Sequence, residues 1–390
     1  MREEKYYAQW LCSLLSMNGR ALKRLEEVFA GPGEVFEASE EALSGLLTPG
    51  QLKELVKSRK RYGGLPELIT VYEEMEEAGI RFVWRREAEF PKRLLQIPDS
   101  PLGLYYRGSL PGGDRASVAI IGARECSAYG SYVATKLGSY LGEQGVEVIS
   151  GMARGIDGIA QEAALSAGGN SYGVLGCGVD ICYPASNRRL YERLLLQGGI
   201  LSAYPPGTEP LSRNFPPRNR IVSGLADAVI VVEARLKSGT LITVDMALEQ
   251  GREVYVVPGR ITDRLSDGCN RLIQQGAEAL LSPEELVAKL YGIRPGQQTL
   301  DCQAVEEGKE QSTVRGNSKR GGLKGEGERE PGFEGELGRV YDCLSFTPCS
   351  VDGLREILPD MECARLNVLL MRLCVEGAAR QVSSGYFVKT

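Results

Sequence analysis

Residues 215–243, FPPRNRIVSGLADAVIVVEARLKSGTLIT, decide the fold of this chain. The apolar run at 228–232 predicts a buried strand, which ends in Glu233, and a helix-like run begins a few residues later. Polar and basic residues gather at both ends of this stretch: Arg218, Asn219, Arg220, Lys237, Ser238 and Thr240. Anionic ligands bind at the carboxyl ends of strands in open α/β sheets, where helix N-termini and free N–H groups point. The stretch therefore predicts an anion site.

The flanking sequence repeats a pattern of strand, glycine turn and helix. Short β-branched apolar runs lie at 118–121, 146–149, 172–175, 200–203, 228–232 and 254–257. Helical segments separate most of these runs, as in parallel βαβ units. We therefore predict an α/β fold with a doubly wound (extended Rossmann), mostly parallel sheet.

Two earlier strand-to-helix turns also carry arginine. GARECSAYG at 122–130 contains Arg124 and Ser127, and SGMARGID at 150–157 contains Arg154. Because both turns follow parallel strands, we place Arg124 and Arg154 in one layer as phosphate contacts. Arg124 could instead be solvated, and Ser127 could cap a helix or meet a phosphate. For Asp157, helix capping is favoured over catalysis. The first turn lacks the second glycine of GxGxxG, so a dinucleotide site is weakly supported.

Several residues have both a structural and a functional interpretation. One arginine of the pair in PRNR is expected to hold Glu233 or Asp157 in an internal ion pair, but not both arginines. Glu233 could act as a general base, although a structural role is favoured because the chain has no histidine. Tyr183 could stack on a base, although packing is favoured. The KSGT segment at 237–240 resembles a phosphate cradle but lacks the P-loop spacing.

Changes in composition and hydrophobic periodicity along the chain predict five segments. Residues 1–75 form a small helical domain (SAM or helix-hairpin-helix-like), which either presents N–H groups to DNA phosphates or only packs. A lead-in segment at 76–115 precedes a Rossmann-like domain at 116–294, for which the family resemblance described below implies DNA binding. Residues 295–333 are rich in Gly, Glu and Lys and predict a flexible linker. Three helices and a hairpin at 334–390 predict a winged helix.

Composition excludes several classes of function. The 390 residues include no histidine, which removes Ser-His-Asp and Cys-His catalysis and histidine metal sites. The ten cysteines form no CxxC pair, so we predict structural thiols and no metal site. We also predict no cofactor and no catalytic residue. A formal net charge of −5 excludes a wholly basic nucleic-acid binder but not a local basic patch. The sequence has no apolar run of about 18 residues, so we predict no membrane span. We also expect a reduced cytoplasmic setting.

Seven motifs in order resemble the DNA-processing protein A (DprA/Smf) family. They are GAR–CSAYG, ISGMARGID, GCGVDICYP, FPPRNRIVSGL, VVEA–KSGTLIT, GREVYVVPG and GCNRLIQQGA. The resemblance implies a homodimer that binds single-stranded DNA and helps load the RecA recombinase during transformation, without established catalysis. It implies DNA-binding roles for Arg124, Arg154, Arg218, Arg220 and Lys237. Two departures from the family pattern are Gln161, where histidine is usual, and Ser202-Ala203, where a serine–acid pair is usual.

An enzyme is the alternative function. Rossmann-fold nucleoside-monophosphate phosphoribohydrolases share this texture and carry a PGGxGTxxE motif. At the comparable place this chain reads KSGTLIT, with no glutamate in register. The missing carboxylate disfavours hydrolysis of a nucleotide.

Overall fold

The computed structural model describes residues 3–292, 333, 335–345, 349–383 and 386–389. The chain divides into two compact units, Met1–Asp301 and Cys302–Thr390. Apart from Phe333, the predicted linker at 295–333 lies outside the described residues.

Six helices open the first unit. They are α1 (Glu4–Ser13), α2 (Gly19–Glu26), α3 (Pro32–Glu37), α4 (Glu40–Ser44), α5 (Pro49–Tyr62) and α6 (Leu65–Glu77). Side chains define where several of them begin: Asn18 caps α2, and Thr48 and Gln51 form a reciprocal capping box on α5. Trp10, Leu25 and Leu55 are almost fully buried between the helices.

The first unit also contains a nine-stranded sheet. Its strands are β1 (Arg81–Trp84), β2 (Gly103–Gly108), β3 (Ser117–Ile121), β4 (Glu147–Ser150), β5 (Ser171–Val174), β6 (Gly198–Ser202), β7 (Ala228–Val231), β8 (Glu253–Val256) and β9 (Glu278–Ala279). They are ordered β1-β2-β6-β5-β4-β3-β7-β8-β9. The strands from β6 to β9 in that order pair in parallel, and β2 pairs antiparallel with both β1 and β6. The predicted lead-in segment at 76–115 thus supplies two strands of the sheet.

Helices cover both faces of this sheet, which confirms the doubly wound prediction. They are α7 (Lys92–Leu95), α8 (Ala128–Glu143), α9 (Ile156–Ser166), α10 (Arg188–Leu196), α11 (Phe215–Gly224), α12 (Gly239–Glu249), α13 (Asp267–Gln274) and α14 (Pro283–Leu290). Strands β3 and β7 are buried along their whole length, because α8 and α9 pack on one face and α11 and α12 on the other. Continuous apolar runs such as 228–231 follow from this two-sided burial.

The second unit has its own core. Its elements are α15 (Gly335–Cys343), β10 (Cys349–Ser350), α16 (Val351–Ile357), α17 (Cys363–Val375), β11 (Ala379–Ser383) and β12 (Tyr386–Lys389). The strands form a sheet in the order β10-β12-β11, and Leu366, Leu370 and Phe387 are buried beneath it. Three helices and a hairpin are the elements that the sequence predicts here, and their assignment to a winged helix stays a prediction.

Three further observations concern the described part of the chain. Its helices do not combine the length and hydropathy that a membrane crossing needs. Its nine cysteines are free thiols. Within the same residues, Cys, Asp and Glu side chains do not gather in threes at metal-binding distances.

Candidate nucleic-acid interface

Two cavities open at the carboxyl ends of the central strands, where β3 lies between β4 and β7. The strand order reverses direction here, which is the usual ligand position in a doubly wound sheet. The larger cavity has a volume of about 460 Å³ and lies over the ends of β3, β4 and β5. The smaller cavity, of about 70 Å³, lies between the loops that follow β3 and β7. Arg124 and Arg218 line both cavities.

The loop between β3 and α8 presents Arg124 to the larger cavity. Its far end is fixed by Glu233, which is 1% exposed and accepts hydrogen bonds from the Ser127 N–H, at 2.9 Å, and from the Ser127 hydroxyl. The same hydroxyl accepts the Gly130 N–H and caps α8. A Cβ at Gly130 would lie 2.3 Å from the Glu233 carboxylate, so only glycine fits there. Ser127 is therefore a structural residue, and Glu233 is an anchor and not a free base.

The loop between β4 and α9 presents Arg154 to the same cavity. Met152, in the middle of this loop, has φ of 52°, a left-handed conformation that non-glycine residues rarely adopt. Asn187 holds the loop by donating to the Met152 and Ala153 carbonyls at 3.0 and 3.1 Å, and the Gln161 side chain accepts the Met152 N–H. A strained backbone conformation persists only where several surrounding contacts hold it, and such strain is common at functional sites. Arg154 itself is exposed.

The two loops touch each other at Gly155. This glycine has φ of 72°, and a Cβ there would lie 2.3 Å from the Ala123 carbonyl oxygen. The Ile156 N–H also donates to that carbonyl at 3.2 Å. The separation of Arg124 and Arg154 is therefore fixed by direct contact of their loops, and the structure places both guanidinium groups at one cavity, as the sequence predicts.

Arg218 differs from these two arginines because it is 5% exposed. Its guanidinium donates to the Gly151 carbonyl at 2.6 Å and to the Val174 carbonyl, and so joins the ends of β4 and β5. Its Nε donates to the Asn219 side chain at 3.1 Å. Burial lowers the pKa of Arg218, and the nearby Asp157 carboxylate opposes this. Arg218 therefore forms the floor of the cavity, and the DNA-binding role that the resemblance implies for it stays a prediction.

Two aromatic rings form a wall of the larger cavity. Tyr183 and Phe215 are stacked, with ring centroids 5.8 Å apart and planes 27° apart, and Tyr183 is 40% exposed. The guanidinium carbons of Arg124 and Arg218 both lie 5.6 Å from the centroid of the Phe215 ring. Sequence reasoning missed Phe215 and favoured packing for Tyr183. Phe215 lies three positions before Arg218, and the two side chains share one side only because this segment folds as α11.

Two of the remaining small polar residues of the predicted set line the smaller cavity, and Ser238 is adjacent in sequence to its lining residues. Asn219 and Thr240 line it, and the Thr240 hydroxyl donates to the Gly122 carbonyl at 3.3 Å. Ser238 is the N-cap residue of α12, and its buried hydroxyl has no hydrogen-bond partner among the described residues. These residues are adjacent to the arginine cavity and lie at its β7 side.

The structure does not bring Arg220 or Lys237 to the cavities. Arg220 is two residues from Arg218 on α11, and therefore about 200° around the helix. It pairs with Glu249 at 2.9 Å and with Asp99 at 3.6 Å. Lys237 is exposed in the loop before α12 and is absent from both linings. Arg220 therefore pairs with surface acids. The buried acid near the arginine pair is Asp157, and its carboxylate lies beside Arg218.

Comparison with known proteins agrees with this geometry. Residues 81–291 match the family described as DNA recombination-mediator protein A, which is more than half of the chain. The chain belongs to this family. The match contains every strand of the large sheet and both arginine loops.

Curated members of the family are similar over the same region. DNA processing protein DprA of Streptococcus pneumoniae (strain ATCC BAA-255 / R6) is 43% identical over 200 residues, which cover 51% of this chain and 71% of the relative. DNA processing protein DprA of Bacillus subtilis (strain 168) is 38% identical over 230 residues, which cover 59% and 76%. Protein Smf of Escherichia coli (strain K12) is 45% identical over 206 residues, which cover 52% and 55%.

A solved family structure shows the same fold. The X-ray structure of DNA processing protein A from Streptococcus pneumoniae matches with a TM-score of 0.62 and 31% identity, and the match covers 73% of this chain and 97% of that chain. Of the two departures from the family pattern, Gln161 is buried, whereas Ala203, which stands in place of the acid, is only partly buried beside the buried Ser202. The Gln161 amide donates to the Tyr172 carbonyl at 3.0 Å, and the Ser202 hydroxyl donates to the Cys177 carbonyl at 2.7 Å.

Proposed function

We propose that this chain binds single-stranded DNA in the larger cavity as part of DNA processing. One observation carries the proposal: Arg124 and Arg154 lie at the same cavity as the stacked rings of Tyr183 and Phe215. Cationic side chains that track the backbone, combined with aromatic rings that stack on bases, are the general means of binding single strands without sequence preference.

The ring pair favours a single strand over a duplex. The bases of a duplex are stacked on one another, so they cannot reach rings inside a cavity unless they are unpaired. A free strand has no base pairs to break, so turning one base onto Tyr183 costs less than it does in a duplex. The arginines lie on loops fixed by backbone contacts, so little side-chain and loop ordering is needed on binding.

The test is fluorescence anisotropy of labelled oligothymidine with the full chain over a range of KCl concentrations. We expect the double variant R124A/R154A to bind much more weakly than the wild type. Each lost phosphate contact lowers the slope of log affinity against log salt by about 0.7, so the slope should fall by about 1.4. Thermal unfolding should not change, because both side chains are exposed.

The matched control is R264A/R271A, which removes two exposed arginines outside both cavities. This control should bind oligothymidine like the wild type. Equal losses in the two double variants would show that affinity follows net charge and not the cavity. Wild-type preference for duplex over oligothymidine would also contradict the proposal.

The wider role proposed for the chain is to load RecA on the bound strand, as a cytoplasmic homodimer, during transformation or another recombination pathway. Support comes from the family to which the chain belongs and from relatives named DNA processing proteins. Light scattering of the chain in solution tests the dimer. RecA ATPase on oligothymidine covered with single-strand-binding protein tests loading, and R124A/R154A should fail to stimulate it.

A further inference from the structure

Helix α5 of the N-terminal helical domain carries a second basic surface, far along the chain from the arginine cavity. Four exposed cations recur at i, i+4, i+7 and i+8, which places them on one face of the helix. This basic face consists of Lys53, Lys57, Lys60 and Arg61. Five basic residues and one acid give α5 a net charge of +4, whereas the whole chain has −5.

The opposite face of α5 is already used for packing. Gln51 donates to the Ser16 carbonyl at 2.9 Å, and Glu54 accepts the Ser16 N–H at 3.2 Å. Ser58 accepts the indole N–H of Trp10 at 2.8 Å, and Arg59 donates to the Ala38 carbonyl at 2.7 Å. The inward side chains therefore fix α5 rigidly, and the basic face must point outward.

Among the described residues of the first unit, no acidic side chain forms an ion pair with the basic face. Ion pairs do form elsewhere within residues 3–292, for instance Arg85 with Glu26 and Arg93 with Asp227, but none of them includes these four cations. Glu54, the acid of this helix, is occupied by Ser16. The face is thus a concentrated, unneutralised positive surface on a negatively charged chain.

We propose that the basic face of α5 binds the sugar-phosphate backbone of duplex DNA. From Lys53 to Arg61 the helix rises about 12 Å, at about 1.5 Å per residue. Each strand of B-DNA carries one charge per about 3.4 Å of axis and both strands together one per about 1.7 Å. The row of cations can therefore face three or four phosphates of one strand.

A duplex fits this face better than a single strand or an acidic protein does. Single-strand sites add aromatic stacking to charge, but Tyr62, the aromatic residue beside the face, is only partly exposed and lies under the Arg61 guanidinium. Without stacking, binding depends on phosphate density, which is highest in a duplex. Lysine is depleted from protein–protein interfaces, and three of the four cations are lysine.

The experiment compares two triple variants of the full chain on a labelled 30-base-pair duplex, by anisotropy over a range of KCl concentrations. K53Q/K57Q/K60Q removes three charges from the basic face. R20Q/K23Q/R24Q is the matched control, since it removes three exposed charges from α2 in the same domain. K53R/K57R/K60R restores the charge and guards against an effect on folding, which circular dichroism also monitors.

We expect K53Q/K57Q/K60Q to lose duplex affinity by about tenfold or more at 50 mM KCl, with a salt slope lower by about 2.7, since each duplex phosphate contact contributes about 0.9. The control and the arginine variant should bind the duplex like the wild type. Oligothymidine affinity should be unchanged in K53Q/K57Q/K60Q, so a failure of the single-strand proposal would be distinguishable from a failure of this one.

Several outcomes would overturn the proposal. The proposal fails if the wild-type protein does not bind the duplex. It also fails if K53Q/K57Q/K60Q binds the duplex like the wild type. An equal loss in R20Q/K23Q/R24Q would assign the effect to overall charge. Wild-type binding to poly-L-glutamate without binding to the duplex would identify an acidic protein as the partner.

Discussion

Replacing Arg218 by methionine separates a structural role from a DNA-contacting role. Methionine keeps an unbranched, flexible, apolar stem but removes the guanidinium and its hydrogen bonds to the Gly151 and Val174 carbonyls. It also removes the cation beside Asp157, a carboxylate that is 8% exposed. If Arg218 is the floor of the cavity, the main result is a loss of stability.

The expected size of that loss follows from the groups left behind. A buried acceptor without a partner costs about 1–3 kcal/mol, and removing one partner of a buried charge pair costs about 3–5 kcal/mol. These contributions overlap because they concern the same guanidinium, so we expect R218M to lower the free energy of unfolding by about 3–5 kcal/mol. At about 2–4 °C per kcal/mol, the thermal midpoint should fall by about 6–20 °C.

The loss should also depend on pH. Burial already raises the pKa of Asp157, and Arg218 opposes this, so R218M raises it further. A raised folded-state pKa stabilises the protein below the unfolded pKa of Asp157, and that stability is lost as the pH rises through the folded pKa. The deficit of R218M should therefore be smaller near pH 4 than at pH 7.

Urea unfolding of R218M and R218M/D157N at both pH values tests this reasoning. The Asn variant keeps an acceptor for the Gly151 N–H without the charge, so it should recover part of the loss at pH 7. R124A is the control, and its stability should stay within about 0.5 kcal/mol of the wild type because Arg124 is exposed. If R218M unfolds like the wild type but loses oligothymidine binding, Arg218 is a DNA contact and the reasoning fails.

Three further predictions concern the same site. Phe215→Leu should weaken oligothymidine binding about 5- to 150-fold by anisotropy, since stacking contributes about 1–3 kcal/mol per base; unchanged affinity would remove the ring from the interface. Gly155→Ala should destabilise the chain by about 1–3 kcal/mol in urea unfolding and weaken DNA binding, because the new Cβ forces the Ala123 loop away; wild-type behaviour in both assays would contradict this. Burial raises the pKa of Cys177 to about 11, so iodoacetamide labelling measured by mass spectrometry should be slow at pH 8 and rise towards pH 11; rapid labelling at pH 8 would refute burial of this thiol.

The sheet could be predicted from the sequence because its central strands are buried on both faces. Runs such as 228–232 are then continuously apolar, and this pattern survives without knowledge of the neighbours. Strands β1 and β2 were missed because they pair antiparallel at the edge, among prolines that indicate an irregular segment. Edge strands with mixed burial have a weaker pattern, so 76–115 gave no clear signal.

Convergence of arginines from separate loops could also be predicted, since carboxyl ends of parallel strands share one edge of the sheet. The different directions of the Arg218 and Arg220 side chains could not be predicted, because they depend on α11. If PRNR were an extended segment leading into β7, both arginines would lie near the same end of the sheet. Folded as a helix, the segment directs Arg218 to the cavity and Arg220 to Glu249.

The burial of each arginine side chain could not be predicted from the sequence, because it depends on hydrogen-bond acceptors that lie elsewhere in the chain. Arg154 and Arg218 are the same residue type at the same edge, yet one is exposed and the other is 5% exposed. The difference arises because two strand-end carbonyls, Gly151 and Val174, accept hydrogen bonds from one guanidinium nitrogen of Arg218, and the Asn219 side chain accepts one from its Nε. These hydrogen bonds offset the cost of burying the guanidinium, and the bond to Gly151 holds the start of the loop that presents Arg154. The buried arginine thus positions the exposed one, so substitutions at both would affect DNA binding, and only a stability measurement would tell the two roles apart.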